Sequence, residues 1–302
     1  MRAFLLYTHH MTTRIERNVH RIDFDKDNAR IALLSDIHWD NPKCDRKLLK
    51  SHLDYCLKNK IKVFINGDFF CLMQGKYDPR RSKKDILPEH NKANYIDAVI
   101  VDAVNWWSPY AEILTVIGYG NHETAIIKNL ETDPLQRFVD LFNYNNKTKL
   151  HTGGYGGWLI LKVQAEKSTY LSKNLKYFHG SGGGGIVTKG AINLTRALEM
   201  YENMDIFVMG HIHENASRND VRESIQYNAG KHTYQLKQKP IHLAICGTYK
   251  EEYGDGAFGW HVERSAPIKP VGGRILTLTP RRYRSKDGDG WGIMADSMMF
   301  PL

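Results

Sequence analysis

Residues 31–38 read IALLSDIH, a short apolar run followed by an aspartate and a histidine. The apolar part predicts a buried strand over residues 31–34. Because side chains alternate along a strand, Asp36 and His38 are expected on the same side at its carboxyl end. Ligands bind at that end of the strands in open α/β sheets. An aspartate oxygen beside a histidine nitrogen suits a transition-metal dication, although a lone D-x-H pattern is weak evidence.

Four later apolar runs end in the same manner. The polar residues that follow them are Asp68 after 61–65, Asn121 after 113–117, His179 after 175–178, and His211 with His213 after 206–209. Each occurrence alone is common, but five together are hard to explain by chance. The pattern predicts that these side chains meet at one rim of a sheet. Adjacent glycines at 67, 120, 180 and 210 permit sharp turns and close backbone approach there.

Strand patterns alternate with helical ones along the chain. Apolar residues recur at helical spacing over 46–58, 95–107 and 191–201, and further strands are predicted at 158–163, 241–245 and 274–279. This order predicts an α/β layered fold. The N-terminal 30 residues are interpreted as an edge strand or hairpin followed by a turn at 25–28.

No linker divides the chain, so we expect one domain over residues 1–302. Two charged or glycine-bearing stretches, 76–91 and 254–273, are interpreted as insertions, and ordered insertions are often functional. The tail from residue 281 is basic and then rich in glycine and methionine, and we expect it to be partly loose.

The composition is that of a soluble enzyme with a basic surface. The formal net charge is +9, which favours polyanions such as nucleic acid, nucleotides or other phosphorylated ligands, although a solvated basic surface would give the same sum. No apolar run reaches the roughly 20 residues of a membrane helix, and the apolar start is too short for an export signal. Four widely spaced cysteines predict reduced thiols. A cytoplasmic location without membrane association is therefore expected.

The motif order D-x-H, G-D, G-N-H-E, H-G and G-H-x-H resembles that of the calcineurin-like metallophosphoesterases. The motifs extend from Asp36 to His213, about three-fifths of the chain. The resemblance implies a four-layer α/β/β/α sandwich, in which helices flank two mixed sheets. It also implies two divalent cations, for which we expect manganese, with iron, zinc, cobalt or magnesium as alternatives.

The resemblance assigns a role to each motif residue. Asp36, His38 and His213 would bind the first cation, and Asn121, His179 and His211 the second. Asp68 would bridge the two cations. His122 would stand beside the scissile phosphate and protonate the leaving oxygen or stabilise charge. Glu123 would orient His122, by analogy with other carboxylate–histidine pairs.

One position departs from the family pattern. The second motif usually reads G-D-x-x-D, but here residues 67–71 read GDFFC, which places Cys71 where an aspartate is expected. The protein Ser/Thr phosphatases continue this motif with Asp-Arg-Gly, whereas this chain continues with Leu72 and Met73. The absence of that phosphate-binding arginine argues against protein phosphatase activity.

The favoured function is hydrolysis of a phosphodiester, with DNA and RNA among the candidate substrates. Alternatives are a phosphomonoesterase or nucleotide phosphatase, a nuclease subunit that needs a partner, and a catalytically silent scaffold or nucleic-acid-binding module. Trp39 and Asn41 follow the first motif and are predicted to line the substrate cleft, where packing and turn formation are the competing interpretations. In the glycine run 182–185, backbone N–H groups could bind a phosphate, and Lys189 would add positive charge there. The alternative interpretation of this run is a flexible loop.

Overall fold

A computed structural model describes residues 12–74, 78, 86–230, 232–254, 256, 260–263, 265–285 and 288–301. Within these residues, the strands form two mixed sheets. In spatial order, the seven-stranded sheet contains β1 (Thr12–Glu16), β2 (Val19–Phe24), β7 (Gly156–Gln164), β8 (Tyr170–Phe178), β9 (Ile206–Met209), β11 (Thr233–Ile245) and β10 (Ala216–Asn228). The six-stranded sheet contains β13 (Gly288–Met299), β12 (Arg274–Ser285), β3 (Arg30–Leu34), β4 (Lys62–Asn66), β5 (Leu114–Gly118) and β6 (His151–Thr152).

The helices complete a layered α/β architecture, as predicted. They are α1 (Arg46–Lys58), α2 (Tyr95–Trp107), α3 (Asn121–Leu130), α4 (Pro134–Asn146), α5 (Ala191–Met200) and α6 (Trp260–Glu263). The starts of α1 and α4 are fixed by side-chain caps, because Asp45 accepts the N–H of Leu48 and Asp133 accepts the N–H of Gln136, each at 2.9 Å. Among the described residues, no helix is both long and apolar enough to cross a membrane.

The alternation of side chains on the central strands creates two separate cores. On β3, Ala32 and Leu34 pack against the outer helices, while Ile31 and Leu33 face the other sheet. Each fully buried leucine contributes about 1.5–3 kcal/mol relative to an exposed one. The short run at 31–34 is therefore apolar at every position because both faces of its sheet are covered.

The other faces of the sandwich are covered by helices. One core joins the six-stranded sheet to α1, α2 and α4, with Leu53, Val99 and Phe138 as representatives. On the far side of the seven-stranded sheet, Leu194 of α5 packs with Phe207 and Leu243. The order is thus helices, sheet, sheet, helix, which confirms the predicted sandwich.

The C-terminal region differs from its prediction. The tail from residue 281 is predicted to be partly loose, but β12 and β13 pair in register from Arg274 opposite Met299 to Ser285 opposite Gly288. The pair is anchored because β12 also pairs with β3, and Leu276 and Leu278 are buried between the sheets. Glycine and methionine in β13 obscure the alternation that would have identified the strand.

Other expectations are met in part. The N-terminal region forms the β1–β2 hairpin over its described residues, and the four cysteines are free and buried. A long hairpin, β10–β11, was missed over 216–228 because most of its residues are exposed and polar. Most of the insertion at 76–91 and parts of that at 254–273 lie outside the described residues; their described parts include a 3-10 turn at Pro88–His90 and the short α6.

Candidate metal centre

The predicted ligands meet at one rim of the sandwich. Because β3, β4 and β5 run parallel, the loops that carry Asp36, Asp68 and Asn121 leave the six-stranded sheet at the same edge. Parallel β8 and β9 bring His179 and the segment 211–213 to the facing edge of the other sheet. The two edges are joined by Asn66, whose side chain donates to the Phe178 carbonyl at 3.1 Å and whose carbonyl lies 2.7 Å from His179 Nδ1.

The first cluster contains Asp36, His38 and His213, whose ligand atoms lie within 4.8 Å of one another. His213 Nε2 is 3.2 Å from Asp36 Oδ1. The second carboxylate oxygen, Asp36 Oδ2, accepts hydrogen bonds from the Ser35 hydroxyl at 2.5 Å and the His211 N–H at 2.9 Å. The carboxylate is therefore held by one oxygen, and the other oxygen points toward the histidines.

Both buried ring nitrogens of His38 lack a hydrogen-bond partner, and the polar atom that faces the buried Asp36 Oδ1 is His213 Nε2 at 3.2 Å. Leaving a polar atom buried and unsatisfied costs about 1–3 kcal/mol, so such groups are rare without a reason. A carboxylate oxygen and imidazole nitrogens are suitable ligands for Mn, Fe, Co or Zn. The residues present thus fit a bound dication, which would satisfy these atoms.

The second cluster contains Asp68, His179 and His211, again with ligand atoms within 4.8 Å. His179 Nε2 lies 3.2 Å from Asp68 Oδ2. Asn121 joins this group, since its Oδ1 is 2.8 Å from His211 Nδ1 and 3.3 Å from His179 Nε2. The cluster therefore offers two oxygens and two nitrogens around one point. His179 is oriented by the Asn66 carbonyl at its other nitrogen, as metal-binding histidines usually are.

Asp68 is the acid that interacts with both halves of the centre. Burial alone would raise its pKa, but the neighbouring His179, His122 and His38 outweigh burial and hold the pKa well below the usual value. For His179, burial would lower the pKa, and the Asp68 carboxylate reverses this and raises it. The two side chains lie 3.2 Å apart, and each favours the charged form of the other when no cation is bound. A metal ion that takes the His179 nitrogen must displace this proton.

The backbone of the centre is strained. Asp36, His38, Asp68, His211 and His213 all have positive φ angles, between 47° and 67°. Non-glycine residues rarely adopt this region, and each such residue costs on the order of 1–3 kcal/mol. The neighbouring loops must pack closely to impose this conformation. At Gly120, for example, a Cβ atom would overlap the Asp68 carboxylate.

His122 lies beside the centre and is held by the backbone. Its Nδ1 is 2.5 Å from the Cys71 carbonyl, and its Nε2 is 3.9 Å from Asp68 Oδ2. The ring meets that of His38 edge-on at 4.8 Å. Because a carbonyl oxygen can only accept, Nδ1 carries a proton, and Nε2 is left to face the carboxylate side of the centre.

Glu123 was predicted to orient His122, but its hydrogen bonds go to other residues. Its carboxylate accepts the backbone N–H of Gly120 at 2.8 Å and that of Phe70 at 2.9 Å, and it is fully buried. Burial, with the nearby Asp68 charge, raises its pKa to about 8. The prediction was wrong because helix geometry directs the third residue of α3 back to the helix start, where it caps the chain. Glu123 therefore joins the second and third motifs, and the Cys71 carbonyl orients His122.

The unusual Cys71 has a partner that sequence reasoning overlooked. Asp40, almost fully buried, accepts the N–H groups of Cys71 at 2.6 Å and Leu72 at 2.9 Å, together with the Tyr95 hydroxyl at 2.8 Å. A carboxylate from the first motif thus supports the loop after Asp68. In the sequence, Asp40 lies between Trp39 and Asn41, where lining of the cleft and turn formation were the two interpretations, and no motif marks it as a partner of Cys71.

The predicted substrate contacts are not supported by burial and hydrogen bonding. Trp39 is fully buried, where it packs on Trp106 and Trp107 and its indole donates to Asp102 at 3.0 Å. Asn41 is 3% exposed and caps the N–H of Lys43. Both are packing and turn residues, because the chain folds inward directly after His38. Lys189 is exposed in the loop before α5, and its backbone N–H donates to Gly185.

A basic residue beside the first cluster was missed. The Asp36 carbonyl accepts hydrogen bonds from the Tyr249 N–H at 3.0 Å and the Thr248 hydroxyl at 2.8 Å. This attachment places Lys250 near the centre, where its charge contributes to lowering the pKa of His38, after burial and His122. Lys250 pairs with Glu252 at 2.6 Å. No motif marks this loop, which becomes adjacent to the centre only through the pairing of β11 with β9.

A comparison with protein families agrees with this geometry. Residues 29–215 match a family model described as calcineurin-like phosphoesterase. No curated protein matched the chain. Among solved structures, the chain is similar to one described as GAP50, the anchor in the inner membrane complex of Plasmodium, with 11% identity, coverage of 90% of this chain and 89% of that chain, and a TM-score of 0.38. That likeness is too weak to bear on function.

Proposed function

This chain belongs to the calcineurin-like phosphoesterase family, and from that premise we propose that it hydrolyses a phosphoester with two divalent cations as cofactors. The observation that supports this most directly is the pair of ligand clusters at one rim, one with unsatisfied buried atoms and the other completed by Asn121. If these side chains served only to stabilise the fold, their buried polar atoms would be expected to form hydrogen bonds within the protein.

The residues divide between two cation sites. Asp36, His38 and His213 would hold the first cation; Asn121, His179 and His211 would hold the second; Asp68 would contribute to both. When bound, two such cations supply an activated water and neutralise charge on the phosphoryl oxygens. We propose manganese, because mixed imidazole and carboxylate sites suit Mn, Fe, Zn and Co.

His122 is proposed as the proton donor to the leaving oxygen. The Cys71 carbonyl fixes the ring through Nδ1, so that Nε2 is presented at the centre beside Asp68. A histidine in such a position supplies general acid catalysis worth about 10²–10⁴ in rate. Its ring is 8% exposed, so it is sheltered and yet open to a substrate at the rim.

We favour a phosphodiester substrate, with nucleic acid as the leading class. The chain lacks the Asp-Arg-Gly sequence of the protein phosphatases, and its net charge is +9. Lys250 adds a cation at the side of the first cluster. The intact ligand set and His122 favour an enzyme over a silent scaffold. A phosphomonoesterase or nucleotide phosphatase is the alternative that the experiment must distinguish.

The test compares two chromogenic esters, bis-p-nitrophenyl phosphate and p-nitrophenyl phosphate. Protein stripped with chelator and reloaded with Mn²⁺ is assayed beside Asp68→Asn and His122→Ala, with bound metal measured by mass spectrometry. We expect diester cleavage that requires Mn²⁺, loss of metal and activity in Asp68→Asn, and a 10²–10⁴-fold lower kcat with metal retained in His122→Ala.

The exposed residues Asp140 and His232 provide matched controls. Asp140→Asn and His232→Ala should retain both metal and activity. A preference for the monoester would keep the metal centre but exclude the diester proposal. Two bound metal ions without hydrolysis of either ester would contradict general phosphoesterase activity and favour the binding module.

A further inference from the structure

A groove of about 730 Å³ with both charged and apolar side chains in its lining opens beside the metal centre, outside the family motifs. Its walls come from the β1–β2 turn, the segment before β7, and the starts of α3 and α4. Its lining includes Arg14, Arg17, Tyr119, Asp133 and Tyr155. The volume is in the range of pockets that take a ligand the size of a nucleotide.

The groove shares a wall with the second cluster. Tyr155 packs edge-on against the His179 ring at 5.4 Å, and its hydroxyl donates to the Gly180 carbonyl at 2.8 Å. On the other side, Tyr119 immediately precedes the loop that carries Asn121, and its N–H donates to Gly154 at 3.1 Å. A ligand in the groove would therefore lie next to the second cluster, with the Tyr155 ring between them.

Sheet order sets the spacing between the groove and the centre. The β1–β2 turn is attached to the start of β7, because Asn18 donates to the Gly156 carbonyl at 3.0 Å and accepts the Trp158 N–H at 2.9 Å. β7 lies next to β8, which ends at Phe178, directly before His179. Two strand spacings correspond to about 10 Å, so the β1–β2 turn that carries Arg17 lies about that far from the end of β8 along the same rim.

The side chains of the groove suit a nucleotide unit. Arg14 is held in place, since its guanidinium donates to the Thr152 carbonyl at 2.5 Å and to His20 Nε2 at 3.3 Å. Arg17 is exposed at the turn. The acid in the groove is Asp133, which accepts a hydrogen bond from the Tyr119 hydroxyl at 2.7 Å and caps α4. Both of its oxygens therefore already have hydrogen-bond donors from the protein. Two half-buried tyrosines supply flat surfaces on which bases stack.

We propose that this groove binds a flanking nucleotide of a single-stranded nucleic acid, with its phosphate at Arg17 and its base against Tyr119 and Tyr155. The proposal deepens the proposed function and rests on it, because the strand would run along the rim from the groove to the centre. Arginine contacts to phosphate and aromatic stacking are the usual means of binding single strands without sequence preference. A phosphopeptide, by contrast, has no bases that could stack on Tyr119 and Tyr155.

The test uses Arg17→Glu and Arg17→Lys in the Mn²⁺-loaded full chain, with Arg281→Glu as the control. Arg281 is exposed on β12, in the other sheet, so the control makes the same charge change away from the groove. Hydrolysis of bis-p-nitrophenyl phosphate is compared with that of a ten-residue oligothymidylate. We expect Arg17→Glu to raise KM for the oligonucleotide at least tenfold and to change the small diester less than twofold. Arg17→Lys should retain most of the affinity.

A second measurement separates binding from hydrolysis. Fluorescence anisotropy of a labelled phosphorothioate oligothymidylate, which keeps the charge and resists cleavage, should give weaker binding in Arg17→Glu and a smaller salt dependence by about one phosphate. Binding that depends on Arg17 without any ester hydrolysis would support the groove and contradict the proposed function.

Two results would overturn the groove while leaving the enzyme intact. One is normal diester cleavage with oligonucleotide binding that is unchanged in Arg17→Glu or equally weakened in Arg281→Glu. The other is a labelled phosphoserine peptide that binds in an Arg17-dependent manner when the oligonucleotide does not.

Discussion

Left-handed backbone conformations at Asp36, His38, Asp68, His211 and His213 show that the residue-level geometry of the centre is imposed on the chain. Local preferences oppose these conformations, and close contacts between neighbouring loops maintain them. The attachment of Tyr249 and Thr248 to the Asp36 carbonyl is one such contact. Substitutions in these supporting contacts should therefore affect metal binding as well as stability.

Glu123→Gln tests the role of the buried carboxylate. Both oxygens of Glu123 accept backbone N–H groups, and an amide can replace only one of these acceptors. We expect the free energy of unfolding to fall by about 2 kcal/mol and metal affinity to fall about 10–100-fold. Urea denaturation and metal titration measure these effects.

Glu202→Gln, at an exposed position, is the control for that substitution. It should leave both the free energy of unfolding and the metal affinity unchanged. If Glu123→Gln instead shifted only the pH–rate profile, with stability unchanged, Glu123 would be acting on His122 after all. Such a result would contradict the role given to the Cys71 carbonyl.

Cys71→Asp would restore the family pattern but should not improve the protein. Cys71 is buried, and its backbone N–H already binds the Asp40 carboxylate. A second buried acid would be desolvated and would face that negative charge, which acts on this position more strongly than the opposing charge of Lys250. We expect a loss of about 3 kcal/mol or more, measured by thermal denaturation. Cys71→Ser should lose clearly less; equal losses would show that shape, not charge, limits this position.

At the scale of elements, the β10–β11 hairpin extends beyond the sheet that anchors it. The core end of β11 is buried, as at Leu243 and Ile245, whereas no residue of β10 is buried. Farther out, Ile225 and Leu236 face each other at 70% and 69% exposure. The outer half of the hairpin therefore adds little to the core.

Replacing both Ile225 and Leu236 by threonine should change the free energy of unfolding by less than about 1 kcal/mol, because neither side chain is buried. Leu243→Thr in the buried part of the same hairpin is the comparison and should cost several-fold more. Urea denaturation distinguishes them. A large loss for the outer pair would indicate that these side chains are covered in solution.

At the scale of the whole molecule, buried neutral histidines make stability depend on pH. Burial is the main cause that lowers the pKa of His20 and of His52 to about 4, from an ordinary value of 6.5. Between pH 6.5 and 4 the unfolded chain binds more protons than the folded chain, so stability falls as the pH falls. The contribution is complete above pH 6.5 and is lost near pH 4.

His52→Gln should flatten this dependence. His52 stacks on Phe300 at 4.1 Å and lies 2.9 Å from the Tyr249 hydroxyl, so the substitution will also lower stability at neutral pH. The informative quantity is the slope: the acid-induced loss should shrink by about 2 kcal/mol. Chemical denaturation at pH 7, 6, 5 and 4.5 measures it, with the exposed His232→Gln as control. An unchanged slope would place the proton uptake elsewhere.

The sequence by itself determined the strand ends, the candidate ligands and the layered fold, because these follow from local periodicity and from residue chemistry at fixed spacing. The polar residues at the end of each apolar run predicted a common rim, and the structure brings them together there.

Only the tertiary structure decided which partner each side chain meets. Glu123 binds Gly120 and Phe70 instead of His122, and Trp39 packs on α2 instead of lining a cleft. Lys250 and Arg17 reach the rim through strand pairings that link distant parts of the chain. The physical reason is that hydrogen bonds and burial depend on long-range packing, whereas periodicity and spacing report only on the local chain.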